Sequence, residues 1–216
     1  MTAAAYLFDM DGTLVDTERF WSLGLADMLR ADGFDLSYAD ASVLVVGRSW
    51  NSIYDDVVAR FPAEGAYSND GLADRLKPYY LRAREGADLS IPGSVEAFRA
   101  LARRAPCAIV SGSRREDVEE TVAALGLADS LSLIVGAQDC PVGKPAPDGY
   151  LMAARGLGVA PDDCVVLEDS LAGVRAGKAA GMRVVALVRP GVPDQGVRAL
   201  ADRCVPNLLD LLAPGA

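Results

Sequence analysis

The chain has no histidine. That absence removes His-ligated zinc sites and every Ser–His or Cys–His nucleophile arrangement. Proton transfer is left to carboxylates, lysine, tyrosine or cysteine. Basic residues are outnumbered by acidic ones, 21 against 30, giving a formal net charge of -9. A nucleic-acid partner would need a basic face, so none is expected. An anionic substrate would need a local positive group or a metal to overcome the global field. No apolar run approaches the roughly 20 residues of a membrane span. The N-terminus has no basic region leading a cleavable apolar stretch, so no secretory signal is expected. Cysteines are few, Cys107, Cys140, Cys164 and Cys204, with no Cys-x-x-Cys. Most lie in or beside apolar runs, which favours buried free thiols in a reducing cytosol. The expectation is a cytoplasmic monomer.

Apolar residues are plentiful, 51% of a 216-residue chain, in short runs. That is enough for one domain, or one domain with a smaller insert. Tyr6-Leu7-Phe8, with Ala3 to Ala5 before it, reads as a buried strand. Asp9, Asp11 and Gly12 follow. On an extended chain residues two apart point the same way, so the two acids can face one spot. That spot is the C-terminal end of a strand, where open α/β sheets bind ligands. Gly12 lets the chain turn sharply away. Two acids at one place repel unless their roles separate. A divalent cation can hold one ionised, as nucleophile or ligand, while the other keeps a proton as general acid. By itself Asp-x-Asp-Gly suits a calcium loop or a solvated turn equally well. The strand in front and Thr13-Leu14-Val15-Asp16 behind set it apart.

Residues from about 16 to 90 read as helices without an alternating strand. Asp16 and Thr17 are good N-cap types. Trp21, Leu25, Met28 and Leu29 follow at helical spacing, ended by Gly33. Trp50, Ile53, Tyr54, Val57, Val58 and Phe61 form a second stripe, stopped by Pro62. Leu72, Leu76, Tyr79 and Tyr80 form a third, which Pro78 should kink or break. After Ile91-Pro92-Gly93, strands alternate with helices. The strands are Cys107 to Val110, Leu131 to Val135, Cys164 to Leu167, Arg183 to Val188 and a short one near Cys204-Val205. Such alternation implies a parallel sheet with right-handed crossovers. The expected fold is therefore α/β, a Rossmann-like doubly wound parallel core of residues 1–15 and 91–216. An all-helical cap of residues 16–90 is inserted into it.

Three further strand ends carry polar groups. Ser111-Gly112-Ser113 ends the second core strand, and a hydroxyl with backbone N–H groups at a helix start makes an anion site. Ser113 and Glu116 also fit a capping box. Lys144 sits in Gly143-Lys144-Pro145-Ala146-Pro147-Asp148, a stiffened loop offering a point charge suited to phosphate. Glu168-Asp169-Ser170 offers hard oxygen ligands of the kind Mg²⁺ takes, and Asp169 or Ser170 could instead cap the next helix.

Phe8-Asp9-Met10-Asp11-Gly12-Thr13-Leu14-Val15-Asp16, with these three segments in order, resembles the haloacid dehalogenase superfamily. The likeness is closest to its phosphatase and β-phosphoglucomutase branch, which carries a helical cap. The resemblance implies Asp9 as the nucleophile that becomes an aspartyl phosphate, and Asp11 as the acid/base. It implies Ser111, with Gly112 and Ser113, at the transferring phosphoryl, and Lys144 as the neutralising cation. It implies Mg²⁺ held by Asp9, Asp11, Glu168 and Asp169, with Asp11 giving its backbone carbonyl and Glu168 binding directly or through water. It also implies a small phosphorylated substrate and a cap whose closure excludes water. Dehalogenases lack the second acid, so Asp11 favours phosphoryl transfer. The mutases carry a His where spacing puts Trp21, and a Lys where this chain has Leu76, beside Lys77. Both departures favour a phosphatase of small phosphomonoesters. In those mutases a Gly-x-x-Arg turn meets the distal phosphate. Here Arg48 follows Gly47 directly, and Arg48 and Trp21 are the cap residues expected at the substrate.

Overall fold

The computed structural model describes residues 3–46, 48, 50–62, 68–194 and 196–213. Gly47, Ser49 and the last three residues of the tail lie outside them. The chain divides into two compact units, Met1–Val15 with Ser90–Ala216, and Asp16–Leu89.

The first unit is built on a six-stranded parallel sheet. Its strands are β1 (Ala5–Phe8), β2 (Cys107–Val110), β3 (Leu133–Val135), β4 (Cys164–Glu168), β5 (Arg183–Leu187) and β6 (Arg203–Val205). Their order is β3-β2-β1-β4-β5-β6, so the chain winds outward from β1 in one direction and then the other. That is the Rossmann-like, doubly wound arrangement. The reversal falls between β1 and β4, and ligands bind in the crevice at such a point. Strand β1 is buried throughout, as expected of a sheet covered on both faces. Phe8 pairs with Leu167 of β4 and with Ile109 of β2.

Among the described residues four α-helices complete this unit: α5 (Ser94–Ala102), α6 (Arg115–Ala124), α7 (Asp148–Leu157) and α8 (Leu171–Ala179) follow the four helices of the second unit in chain order, and short 3₁₀ turns join the strands. Tyr150, Ala153 and Ala154 of α7 and Val174 and Ala176 of α8 share one core with Leu7, Val166 and Val184. Neighbouring residues on a strand face opposite sides; Phe8 accordingly meets Phe98 of α5, with ring centroids 4.6 Å apart. Cys107 and Cys164 are buried, whereas Cys140 and Cys204 are only half-buried; all four are free thiols. Burial pushes the Cys107 thiol up to about 12, so it stays protonated.

The second unit comprises α1 (Thr17–Ala31), α2 (Tyr38–Val45), α3 (Trp50–Arg60) and α4 (Asn69–Arg84). Their inward residues, among them Leu25, Met28, Leu29, Leu44, Val57, Leu72 and Leu76, form its own core. Helix α2 is not foreshadowed by an apolar stripe. It starts at a capping box in which Ser37 Oγ accepts from Asp40 N at 3.1 Å and Asp40 Oδ2 accepts from Ser37 N at 3.2 Å. Asp16 is the N-cap of α1, but its side chain makes no capping bond. Pro78 does not break α4, which runs through it to Arg84. The proline sits on the exposed side while Leu72 and Leu76 are buried, and their packing offsets the lost backbone bond. Among the described residues no helix is long and apolar enough to cross a membrane.

Gly24 of α1 sets how closely α4 can approach. A Cβ there would come within 2.8 Å of the Tyr80 backbone nitrogen, and backbone cannot move aside cheaply. Gly24→Ala should therefore cost about 1–3 kcal/mol, seen as a Tm lowered by roughly 2–4 °C per kcal/mol. An unchanged Tm would contradict this close contact.

Candidate active site

The site is assembled at the C-terminal ends of β1, β2 and β4 and in the loop after β3. Asp9 directly follows β1, and its backbone N–H donates to Leu167 O at 2.9 Å. This bond continues the ladder and sets Asp9 beside the end of β4. There Glu168, fully buried, is the last strand residue and Asp169 the first beyond it. The chain turns at Gly12 with φ 93°, a conformation in which glycine carries no side-chain penalty. A Cβ at Gly12 would also run into the Asp169 carboxylate. Thr13 Oγ1 donates to Asp169 Oδ1 at 2.9 Å.

Lys144 reaches this point from the loop before α7, where its peptide to Pro145 is cis. Its Nζ donates to Asp9 Oδ1 at 2.5 Å and to Glu168 Oε1 at 2.7 Å. Glu168 Oε1 also accepts the Tyr150 hydroxyl at 3.1 Å. Glu168 Oε2 takes Asp169 N, Ser170 N and Ser170 Oγ at 2.8–2.9 Å. Ser170 Oγ in turn caps α8 by accepting from Gly173 N at 3.0 Å. A Cβ at Gly173 would overlap the Glu168 carboxylate, so the small residue gives that carboxylate its place.

Asp11 turns toward β2. Its Oδ2 accepts Ser113 Oγ at 2.8 Å and Ser111 Oγ at 3.2 Å, and Ser111 Oγ accepts from Ser113 N at 3.0 Å. The Ser113–Glu116 capping box is therefore not formed: Arg114 is the N-cap of α6, without a side-chain bond. The Ser113 hydroxyl donates instead to the Asp11 carboxylate, a charge-assisted bond. Gly112 is exposed, with open space where a side chain would be. A cavity of about 240 Å³ is lined by Ser111, Gly112, Lys144 and Tyr150 together with Cys140 and Val142.

Burial pushes the Asp9 carboxyl well above its usual range; Lys144 pulls it down, while Glu168, Asp169 and Asp11 push it further up. Burial alone would lower the Lys144 ammonium, but Asp9 and Glu168 outweigh it and hold it charged. Asp9 thus feels three other acids and one ammonium, and a cation would relieve the imbalance. Asp9, Glu168 and Asp169 each offer an oxygen within 4.8 Å of the others. Three hard oxygen donors in a charge-deficient cluster fit a small divalent ion. The Asp11 carboxylate is not in that group.

Trp21 and Arg48 belong to the helical unit. Both line a pocket of about 200 Å³ there. Trp21 stacks on Tyr80 with centroids 4.0 Å apart. Arg48 is already engaged, Nη1 donating to Asp56 Oδ2 at 2.5 Å and Nη2 to Ser52 Oγ at 2.6 Å. Lys77 is exposed.

A family model of haloacid dehalogenase-like hydrolase matches residues 3–181. The chain belongs to that family. Hexitol phosphatase B of Escherichia coli K12 is 32% identical over 211 residues, 97% of this chain and 94% of that protein. Validoxylamine A 7'-phosphate phosphatase of Streptomyces hygroscopicus subsp. limoneus is 33% identical over 184 residues, 84% of each. A family hydrolase from Deinococcus radiodurans R1, solved with bound phosphate and sodium, superposes with a TM-score of 0.79 at 30% identity. That match spans 97% of this chain and 93% of that one.

Tyr150 has no counterpart in the sequence reading beyond a core position on α7. Its stripe mates, Ala153 and Ala154, are apolar, and a hydroxyl among them needs a partner. That is the signal that could have found it. Tyr150→Phe keeps the ring, whose centroid lies 5.2 Å from Lys144 Nζ, and removes the hydroxyl that donates to Glu168. A hydrogen bond to a charged group contributes about 1.5–3 kcal/mol. Denaturant unfolding of this variant should show a loss of that size, and no loss would mean that the hydroxyl supports nothing.

Proposed function

We propose that this hydrolase is a Mg²⁺-dependent phosphatase of small phosphomonoesters, sugar or polyol phosphates, acting through phospho-Asp9. The observation that carries the reading is Lys144 Nζ set between Asp9 and Glu168, with Asp169 alongside. A buried carboxylate beside a fixed cation is a nucleophile held in position, and Lys144 opposes the burial that would neutralise it. The names of the hexitol and validoxylamine phosphatases and the phosphate bound in the Deinococcus hydrolase support the substrate class.

The Asp9 carboxylate attacks phosphorus, and the bond from phosphorus to the leaving oxygen breaks. Asp11 gives that oxygen a proton. Water then attacks the phosphoryl group on Asp9 while Asp11 takes its proton, which frees phosphate and restores both acids. Ser113 holds the Asp11 side chain for this work, while Ser111 turns its one hydroxyl hydrogen from Asp11 to a phosphoryl oxygen when substrate binds, beside backbone N–H groups around Gly112. Lys144 offsets the negative charge shared by Asp9 and the phosphoryl group. Asp9, Glu168 and Asp169, with the backbone carbonyl of Asp11, would hold the metal. When bound, Mg²⁺ supplies positive charge opposite the developing charge on phosphorus. A unit charge pair 4 Å apart interacts by about 1 kcal/mol in water and about 4 at an effective dielectric of 20, so the buried setting strengthens both cations. Trp21 and buried Leu76 offer neither a proton donor nor a cation at the two mutase positions, which supports hydrolysis over isomerisation. The four unpaired thiols suit the cytoplasm.

Asp9→Asn keeps the shape and removes the attacking charge. With Mg²⁺ and an aryl phosphate it should be inactive; near-normal turnover, once deamidation is excluded, would refute the covalent route. Asp11→Asn should fold, keep its Mg²⁺ affinity and lose roughly 10²–10⁴-fold in turnover, the share of a general acid. Metal affinity that falls as steeply as the rate would assign Asp11 to the metal instead.

A further inference from the structure

Ser113 is held in place from a neighbouring loop. Its hydroxyl donates to Asp11 Oδ2 at 2.8 Å. The residue before it, Gly112, is exposed, with open space where a side chain would be, and glycine leaves the backbone free to turn. The Ser113 carbonyl ties that backbone down by accepting Ala137 N at 2.9 Å. Ala137 opens the 3₁₀ turn Ala137–Asp139 just after β3. Ser111 N donates to Val135 O, at the end of the same strand, at 3.0 Å. The two loops therefore run side by side, joined through main-chain bonds.

Asp139 closes the turn. Its Oδ2 accepts Gly136 N at 2.7 Å and Arg115 Nη2 at 2.6 Å. The same Nη2 donates to Ile134 O at 3.0 Å. Arg115 is the first residue of α6, and its N–H is one of the donors that a helix start leaves without an intrahelical partner. The N-cap, Arg114, offers it no side-chain acceptor. Gln138 Oε1 takes that place, accepting Arg115 N at 2.9 Å, and Gln138 Nε2 donates to Glu116 Oε2 at 3.0 Å. Gly136 permits the close approach: a Cβ there would stand 2.9 Å from Arg115 N. A closed ring results. It runs from Ser113 along the backbone to Arg115, across to Gln138 and Asp139, back to Ala137, and through its N–H to Ser113 O. The Arg115 and Asp139 side chains are 39% and 26% exposed, and Glu119 faces Arg115 Nη1 at 3.8 Å from an exposed position. Ion pairs so open to water contribute little to stability. A pair that grips backbone atoms of both segments serves instead to fix where they lie.

We propose that Asp139 is a positioning residue for the general acid. By clamping the turn after β3 to the start of α6 it fixes the Ala137 N–H, hence Ser113, and hence the Asp11 carboxylate that Ser113 holds. The inference rests on the phosphatase reading above and deepens it. Asp139 does not touch the substrate; it acts through Ala137 and Ser113.

The test uses leaving groups that differ in their need for a proton. An alkoxide must be protonated as it departs, whereas a nitrophenolate leaves as a stable anion. The ratio kcat/KM covers only the steps through expulsion of the leaving group, so it separates proton delivery from the later hydrolysis at Asp9. With the full chain and Mg²⁺, the better substrate of sorbitol 6-phosphate and fructose 1-phosphate is compared with 4-nitrophenyl phosphate. Asp139→Ala should lower kcat/KM about tenfold more for the alkyl ester than for the aryl ester, part of the roughly 10²–10⁴-fold that a well-placed general acid contributes. A smaller folded fraction lowers both values by one factor and leaves their ratio where it was. Gly136→Ala pushes the turn away from Arg115 without changing a charge, and should move the ratio in the same direction. Asp139→Asn keeps an acceptor for Gly136 N and should move it less. An unmoved ratio in the folded variants would overturn the proposal. Amide hydrogen exchange of the metal-free chain gives a readout apart from turnover. The Ala137 N–H should exchange at least about tenfold faster in Asp139→Ala, while amides of β1 and β4 keep their rates. Undiminished protection at Ala137 would overturn the proposal. A wild-type chain that hydrolyses none of these esters would remove the phosphatase reading and this inference with it, whereas wild-type turnover with an unmoved ratio removes the inference alone.

Discussion

One buried ammonium holds the site together. Lys144 bridges Asp9 and Glu168, two carboxylates that have little or no contact with water. Removing one member of a buried ion pair costs about 3–5 kcal/mol, because the partner charge is left without compensation. The sheet makes this bridge possible. Parallel pairing of β1 with β4 puts Asp9 and Glu168 on adjacent strand ends, and no flexible loop intervenes. The loop before α7 then has only to deliver one long side chain. Tyr150, one turn into that helix, ties the same carboxylate to the helix that follows the loop. A site built this way has its geometry fixed by main-chain register and its charge balance fixed by one lysine.

Much of this was written in the sequence, for a physical reason. Asp9, Ser111 and Glu168 each stand at or just past the end of a short apolar run, and a parallel sheet brings such ends to one edge. Reading the strands therefore locates the polar residues near one another without any knowledge of side-chain contacts. The partners of those side chains were harder to read. Ser113 looked equally fit to cap α6, and only its distance to Asp11 decides otherwise. The Tyr150 hydroxyl and the Gly173 contact with Glu168 depend on packing between segments far apart in the chain. Local spacing carries no information about such pairs.

The helical unit was less legible still. Its stripes gave α1, α3 and most of α4, but α2 rests on a capping box more than on an apolar face, and α4 runs on through Pro78 because Leu72 and Leu76 anchor it. Arg48 reads from sequence as a cation available for an anion. The structure sets Asp56 and Ser52 against it, residues four and eight positions on, which no motif marks as its partners. A charge count along the chain cannot tell a cation awaiting a ligand from one already balanced.

The central claim is that Asp9 carries the phosphoryl group. The direct measurement is to quench the protein in acid during turnover, reduce it with borohydride and sequence the N-terminal peptide by mass spectrometry. An acyl phosphate at position 9 is reduced to homoserine there, and that is the predicted result. Unmodified Asp9 beside a label on another residue, such as Ser111, would contradict the account.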